Sequence, residues 1–294
     1  MTTHIVRATT FFKATSWACV FLLGLGFTWI ATAQDGTAGR CVDLSGNPME
    51  GGMIWGQVDP GASVTLDGEA LDLLPDGRFV AGFHRDAQAV SELVVNGTCR
   101  QQVDVQQRDY RISRIEGVPQ RTVTPSAEHL DRIRRERQLV SNAKASRIEN
   151  PAWLMQIDAA FEWPVRGRIS GVYGSQRIYN GTPGSPHYGI DIAVPTGTPV
   201  YAPAAGQVTL AQTDLFYSGG TIILDHGYAL SSSFLHLSAL DVEVGTIVQK
   251  GDLLGRVGAS GRATGPHLDW RMSWRNCRVD PQLLVDDMPP QISD

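Results

Sequence analysis

The sequence predicts a mostly β chain: a small β-sandwich-like N-terminal domain, a helical connector, and a C-terminal antiparallel β domain. Three observations predict it. Residues 34–115 run in short stretches that alternate apolar and polar, as Val64-Thr65-Leu66 and Val103-Asp104-Val105 do, with the turn pairs Asp67-Gly68, Asp76-Gly77 and Asn96-Gly97 between them. Residues 161–294 are punctuated by Gly or Pro every few positions, from Gly197 and Pro199 to Gly258 and Gly261, which leaves room only for short strands. Between these regions, one stretch carries a helical pattern.

The elements follow in order. Arg7 and Lys13 precede an apolar run, Trp17 to Ile30, and Ala31-Thr32-Ala33 closes it. A basic start, a short apolar core and a small-residue exit read as a secretory signal peptide over 1–33. An uncleaved membrane anchor is the alternative, although the run falls short of the ~20 apolar residues that span comfortably. In the first domain, MIWGQV, SVTLDGEAL, GRFVAGF, SELVVNGTC and RQQVDV supply five or six strand candidates. Its Cys41 and Cys99 are expected to pair in an oxidising compartment, contributing roughly 4 kcal/mol in chain-entropy terms. Cys277 is then left as a small buried residue.

Residues 116–160 form the connector. After Thr124-Pro125, Ser126 offers an N-cap to a helix through about Arg147, with Leu130, Ile133, Val140 and Ala143 near one face. Arg132, Arg134, Arg135 and Arg137 are interleaved with Glu128, Asp131 and Glu136, as on a solvated face. In the second domain, GQVTLAQ, TIILDH, ALSSSFLHL and LLGRVG are the clearest strands.

Composition narrows the function. The 294 residues suit two modest domains, and 42% hydrophobic content with 31 Gly and 16 Pro suits a turn-rich globular chain. The formal charge is -5, and more negative still once Arg7 and Lys13 are removed, so nothing here attracts nucleic acid. What remains is a small set of imidazoles and carboxylates. His187 and Asp191 stand four apart in PHYGID, His267 and Asp269 two apart in GPHLDW, and His236 lies between them in SSSFLHLS. On a strand, residues 267 and 269 face one side. Neutral imidazoles and carboxylates are what a zinc hydrolase needs as ligands, with spare histidines for proton handling.

Order and wording go further than spacing. The run HYGIDIAVPTGTPVYAPAAGQV, then FLHL, then VEVGTIVQKGDLLGRVGASGRATGPHLDW resembles the LytM/lysostaphin-type zinc endopeptidases of family M23, from about Phe161 to about Val285. The resemblance implies a grooved β-sheet core with zinc on its floor and cleavage of peptide cross-links in peptidoglycan. It implies His187 and Asp191 as the first two ligands, with His236 and His267 as the catalytic histidines beside the metal. Which of the two acts as base stays open. His226 also matches a common family residue and is read as structural.

One position departs from the family. Where the pattern has His-x-His, this chain has His267-Leu268-Asp269, so Asp269 stands in the third ligand's place. A carboxylate oxygen and an imidazole Nδ1 are both carried on Cγ, and Asp is an ordinary zinc ligand. The exchange adds negative charge and predicts a weaker or differently tuned Lewis acid. Trp270 is expected to pack behind the strand, with Arg271 at its far side. Two functions are therefore expected: an exported zinc endopeptidase of the periplasm of a Gram-negative-type bacterium, or a degenerate relative that binds wall peptides or activates a partner hydrolase. Partner proteins of the cell-wall machinery fit either; the membrane enters only through an uncleaved signal segment. VEVGTIVQKGDLLGRVG also looks like half of a lipoyl-type hairpin, but Lys250 does not sit in an attachment motif.

Overall fold

The computed structural model describes residues 40–117, 127–154 and 161–288. The expected signal segment and the Ser126 cap lie outside them.

The N-terminal strands are β1 (Leu44–Gly46), β2 (Met53–Gln57), β3 (Val64–Leu66), β4 (Glu69–Ala70), β5 (Arg78–Gly82), β6 (Val90–Val95) and β7 (Cys99–Asp104). They form two small antiparallel sheets, β1-β2-β5 and β4-β3-β6-β7. Turns at Asp67-Gly68 and Asn96-Gly97 join β3 to β4 and β6 to β7. Both residues of each pair have positive φ, as tight hairpins require. Cys41 and Cys99 form a disulfide, and Cys277 is free and buried.

β8 (Ile112–Ile115) leaves this region and runs parallel to β10 (Gln176–Tyr179), which also pairs with β11 (Thr182–Pro183). Helix α1 (Ala127–Ala145) and a short helix α2 (Pro151–Leu154) follow. The remaining strands are β9 (Arg168–Gly171), β12 (Ile190–Ala193), β13 (Pro199–Tyr201), β14 (Gly206–Leu215), β15 (Gly219–Asp225), β16 (Leu230–Leu240), β17 (Ile247–Val248), β18 (Leu253–Val257), β19 (Leu268–Trp274) and β20 (Cys277–Val279). Their sheet runs β17-β14-β15-β16-β19-β12-β9, with β18 also on β16 and β20 on β19.

Register decides the faces of this sheet. Ile223 pairs with Ser233, Ser233 with Arg271, and Asp269 with Asp191, so these residues share one face. The other face carries Ile190, Ile192, Leu224, Phe234, Leu268, Trp270 and Met272, all fully buried. That apolar face belongs to one hydrophobic core shared with Phe79, Val80 and Leu93 of the N-terminal sheets. The sequence boundaries at 115 and 160 thus fall inside one compact unit.

The first face is not open throughout. Ala143 and Val140 of α1 pack on Leu210, Leu215 and Ile223. Further along, Lys144 Nζ donates to Ser273 Oγ at 3.0 Å. Helix α1 therefore lies on the face that carries Asp191 and Asp269.

Candidate metal centre

β12 and β19 bring the two carboxylates together, because Asp191 and Asp269 are direct ladder partners. His187 enters from the loop before β12. Its backbone is fixed by two hydrogen bonds, Gly174 N to His187 O at 2.7 Å and His187 N to Ser175 O at 2.8 Å. Its Nδ1 lies 3.3 Å from Val172 O, which can only accept, so Nδ1 is held by the backbone and Nε2 is the ring nitrogen that faces the carboxylates. Nε2 lies 3.1 Å from Asp191 Oδ1 and 3.6 Å from Asp269 Oδ1. One ligand atom from each of the three residues lies within 4.8 Å of the others.

His187 Nε2 is buried and has no hydrogen-bond partner. A buried nitrogen without a partner, facing two carboxylate oxygens, fits a divalent cation bound by one imidazole and two carboxylates. Electrostatics agree. Burial opposes a charged imidazole, yet Asp191 and Asp269 more than offset it and push the His187 pKa up to about 10. The three side chains enclose a point that attracts positive charge.

Two glycines make the close approach possible. A Cβ on Gly171 would lie 2.1 Å from Asp191 Oδ2, and one on Gly189 would lie 2.9 Å from Asp269 Oδ1.

The two histidines expected to handle protons stand beside these three side chains. The His236 and His267 rings are 4.8 Å apart, and His267 Nε2 lies 3.7 Å from Asp191 Oδ1. His236 Nδ1 meets Ser260 O at 2.8 Å and His267 Nδ1 meets Gly265 O at 2.8 Å, so both donate from Nδ1 and keep Nε2 free. Burial lowers the His236 pKa, with the Ser260 carbonyl opposing it. His236 has a left-handed φ of 65°, which breaks the alternation of β16 where the site needs it broken.

Asp269 is not alone. Arg271 Nε donates to Oδ1 at 2.9 Å and to Oδ2 at 3.1 Å, and Nη2 donates to Oδ2 at 2.6 Å. Burial would raise the Asp269 pKa, but Arg271 and His187 override it and hold the carboxyl well below the ordinary range. The negative charge that Asp269 adds to the expected ligand set thus lies directly against one guanidinium. Sequence reading set Arg271 opposite Trp270 without connecting it to Asp269. The signal was Asp-x-Arg on a strand, which puts both side chains on one face.

Of the other histidines, His226 lies on the core side, with Nδ1 bonded to Ala205 O and Nε2 to Ser232 Oγ, both at 2.8 Å. Burial lowers its pKa to about 4. His84 is exposed, and Lys250 lies 3.4 Å from Glu162.

Known proteins are similar to this chain in sequence and in fold. Residues 185–281 match the profile of peptidase family M23. Over 128 residues, 42% of this chain, the sequence is 36% identical to peptidoglycan DD-endopeptidase ShyA of Vibrio cholerae serotype O1. Over 103 residues, 35% of this chain, it is 38% identical to DD-carboxypeptidase/endopeptidase Mpg of Neisseria meningitidis serogroup B. The matched segments span only 30% and 24% of those relatives' own lengths. A crystal structure from Pseudomonas aeruginosa assigned to peptidase M23 superposes with a TM-score of 0.61 at 30% identity, covering 81% of this chain and 95% of that one. On the profile match and this nearly end-to-end correspondence with a solved structure, the chain belongs to peptidase family M23.

Proposed function

We propose that this chain is an exported zinc metalloendopeptidase that hydrolyses peptide cross-links of bacterial peptidoglycan in the periplasm. The observation that carries the reading is the partnerless, buried Nε2 of His187, aimed at the oxygens of Asp191 and Asp269. His187, Asp191 and Asp269 would hold the zinc. When bound, the ion supplies Lewis acidity, making a water in the site a better nucleophile and polarising the scissile carbonyl. The names of the Vibrio and Neisseria relatives support a wall peptide as substrate, and the Arg7-to-Ala33 segment supports export.

The chain's own groups handle the protons. With Nδ1 tied to backbone carbonyls, His236 and His267 each present a free Nε2. One takes the proton from the attacking water and passes it to the leaving amine. The other, once protonated, donates a hydrogen bond to the carbonyl oxygen as negative charge develops there.

A second reading, a non-cleaving wall binder, is favoured by one observation: both Asp269 oxygens already accept hydrogen bonds from Arg271. Purified chain separates the two. An endopeptidase carries about one zinc, releases peptide from purified wall material, stops when chelated and restarts with zinc. His236→Ala and His267→Ala should retain the metal and lose on the order of 10²–10⁴ in turnover. Asp269→Ala should lose the metal. Folded protein that takes up no zinc and binds wall without cutting it would establish the binder instead.

A further inference from the structure

We propose that Arg271 is a positioning residue of the metal centre that cancels the charge of Asp269, so that the Asp269–Arg271 pair serves as a neutral third ligand where the family pattern has histidine. The inference rests on reading His187, Asp191 and Asp269 as the ligand set.

Geometry supports it at each step. Asp269 and Arg271 lie two apart on β19, on the same face. The guanidinium grips the carboxylate through Nε and Nη2 at 2.6–3.1 Å, a two-point fit that lysine cannot reproduce. Room for its stem exists only because residue 189 is glycine: a Cβ there would sit 2.5 Å from Arg271 Cγ. Asp269 Oδ1 accepts from Nε on one side and faces His187 Nε2 on the other. A carboxylate oxygen has a lone pair for each. Among the described residues, Arg271 makes an ion pair with Asp269 alone.

Charge explains why the pair is useful. Asp191 and Asp269 face each other across the ladder, one half-buried and the other buried, and without a countercharge the two carboxylates repel. A set of two uncompensated carboxylates and one imidazole also favours harder ions than zinc. Arg271 removes one unit of charge and returns the site to the net charge of a His-Asp-His centre.

The test is zinc affinity of the full chain, measured by competition with a chromophoric chelator, with manganese as the competing ion. If charge cancellation is the role, Arg271→Met binds zinc about tenfold or more tighter and gains relative preference for manganese. Arg271→Lys, which keeps the charge and loses the fork, stays within about threefold of the parent. Asp269→His, which leaves Arg271 without its partner, weakens zinc by about tenfold, and adding Arg271→Met to it restores the parent's affinity. Weaker zinc binding in Arg271→Met, or an Asp269→His/Arg271→Met chain no better than Asp269→His, overturns the proposal and leaves Arg271 a packing residue. Should Arg271→Met not fold, the two Asp269→His chains still decide. A folded parent that takes up no zinc overturns the ligand reading itself, and this proposal with it.

Discussion

Gly189 decides whether the centre can assemble. Its missing Cβ would otherwise lie 2.5 Å from Arg271 Cγ, 2.6 Å from Trp270 O and 2.9 Å from Asp269 Oδ1. Trp270 O belongs to the β19 backbone and cannot swing aside, so the strain of a methyl group falls on the carboxylate and its arginine. Gly189→Ala is expected to lower bound zinc at least about tenfold, as loss of ligand support does, and to cost about 1–3 kcal/mol of stability by overpacking. Metal analysis beside far-UV circular dichroism checks this. Full occupancy with native stability would show that the pair has slack the structure does not display. At this scale much was legible in the sequence. His187, Asp191, His236, His267 and Asp269 were reachable from motif order, and Cys41 with Cys99 from the export signal. Strand alternation even set Arg271 opposite Trp270. What it left open was whether a long side chain folds back onto a neighbour or reaches solvent. Burial and the vacancy at residue 189 decide that, and both are properties of the packed state.

The elements show the same division between local signal and tertiary outcome. Turn pairs and glycine spacing located most strands, and periodicity located α1 to within about two residues at its C-terminal end. Which surface α1 covers was not local information, since an amphipathic face names no partner. One hint was present: TIIL in β15 does not alternate, and every residue of β15 is buried. A strand with both faces covered loses its alternation, and α1 supplies the second cover through Val140 and Ala143. Docking has an electrostatic cost. Burial, and after it Arg278 and Arg271, push the Lys144 pKa well below its usual value. The helix is thus held by a small apolar patch, by Arg132 on Asp214 and by Glu136 accepting from Phe216 N, against the crowding of Lys144 by two guanidiniums. A peptide that ran along β19 toward Asp269 would meet Lys144 first, because Ser273 follows Arg271 on the same face. Ala143→Asp should release the helix, make it sensitive to limited proteolysis, and raise peptide release from wall material by about threefold or more. Unchanged turnover with a cleavable helix would mean that the peptide comes in from another side.

At the scale of the described residues, the N-terminal sheets share a hydrophobic core with the sheet that carries the candidate centre. Sequence composition suggested separate domains because turn density changes along the chain. Composition does not reveal that Gly82 of β5 packs on Val279, Cys277 and Trp274, or that Arg108 Nη2 meets the buried Asp280 Oδ2 at 2.9 Å. The link that reaches the candidate metal centre is Arg85. It is 8% exposed, lies 4.3 Å from the centroid of the Tyr110 ring, and donates from Nε to Gly174 O at 2.8 Å. Gly174 N in turn donates to His187 O. An N-terminal side chain therefore braces the loop that aims a ligand. Removing it leaves Gly174 O without that donor and His187 with a looser backbone, while the ladder pair Asp191–Asp269 is untouched. Arg85→Met is accordingly expected to weaken zinc binding roughly tenfold, the low end for a group supporting a ligand at second hand. The effect should appear as faster zinc release, with the secondary structure preserved. Arg108→Ala acts differently. It strands a buried carboxylate and should cost about 3–5 kcal/mol. Because the core is shared, fluorescence and far-UV signals should fall together in one earlier transition. If the two signals separate, so that the sheet bearing Asp191 and Asp269 outlasts the N-terminal strands and still keeps its zinc, then Arg85 is not a brace and the N-terminal region is only a neighbour.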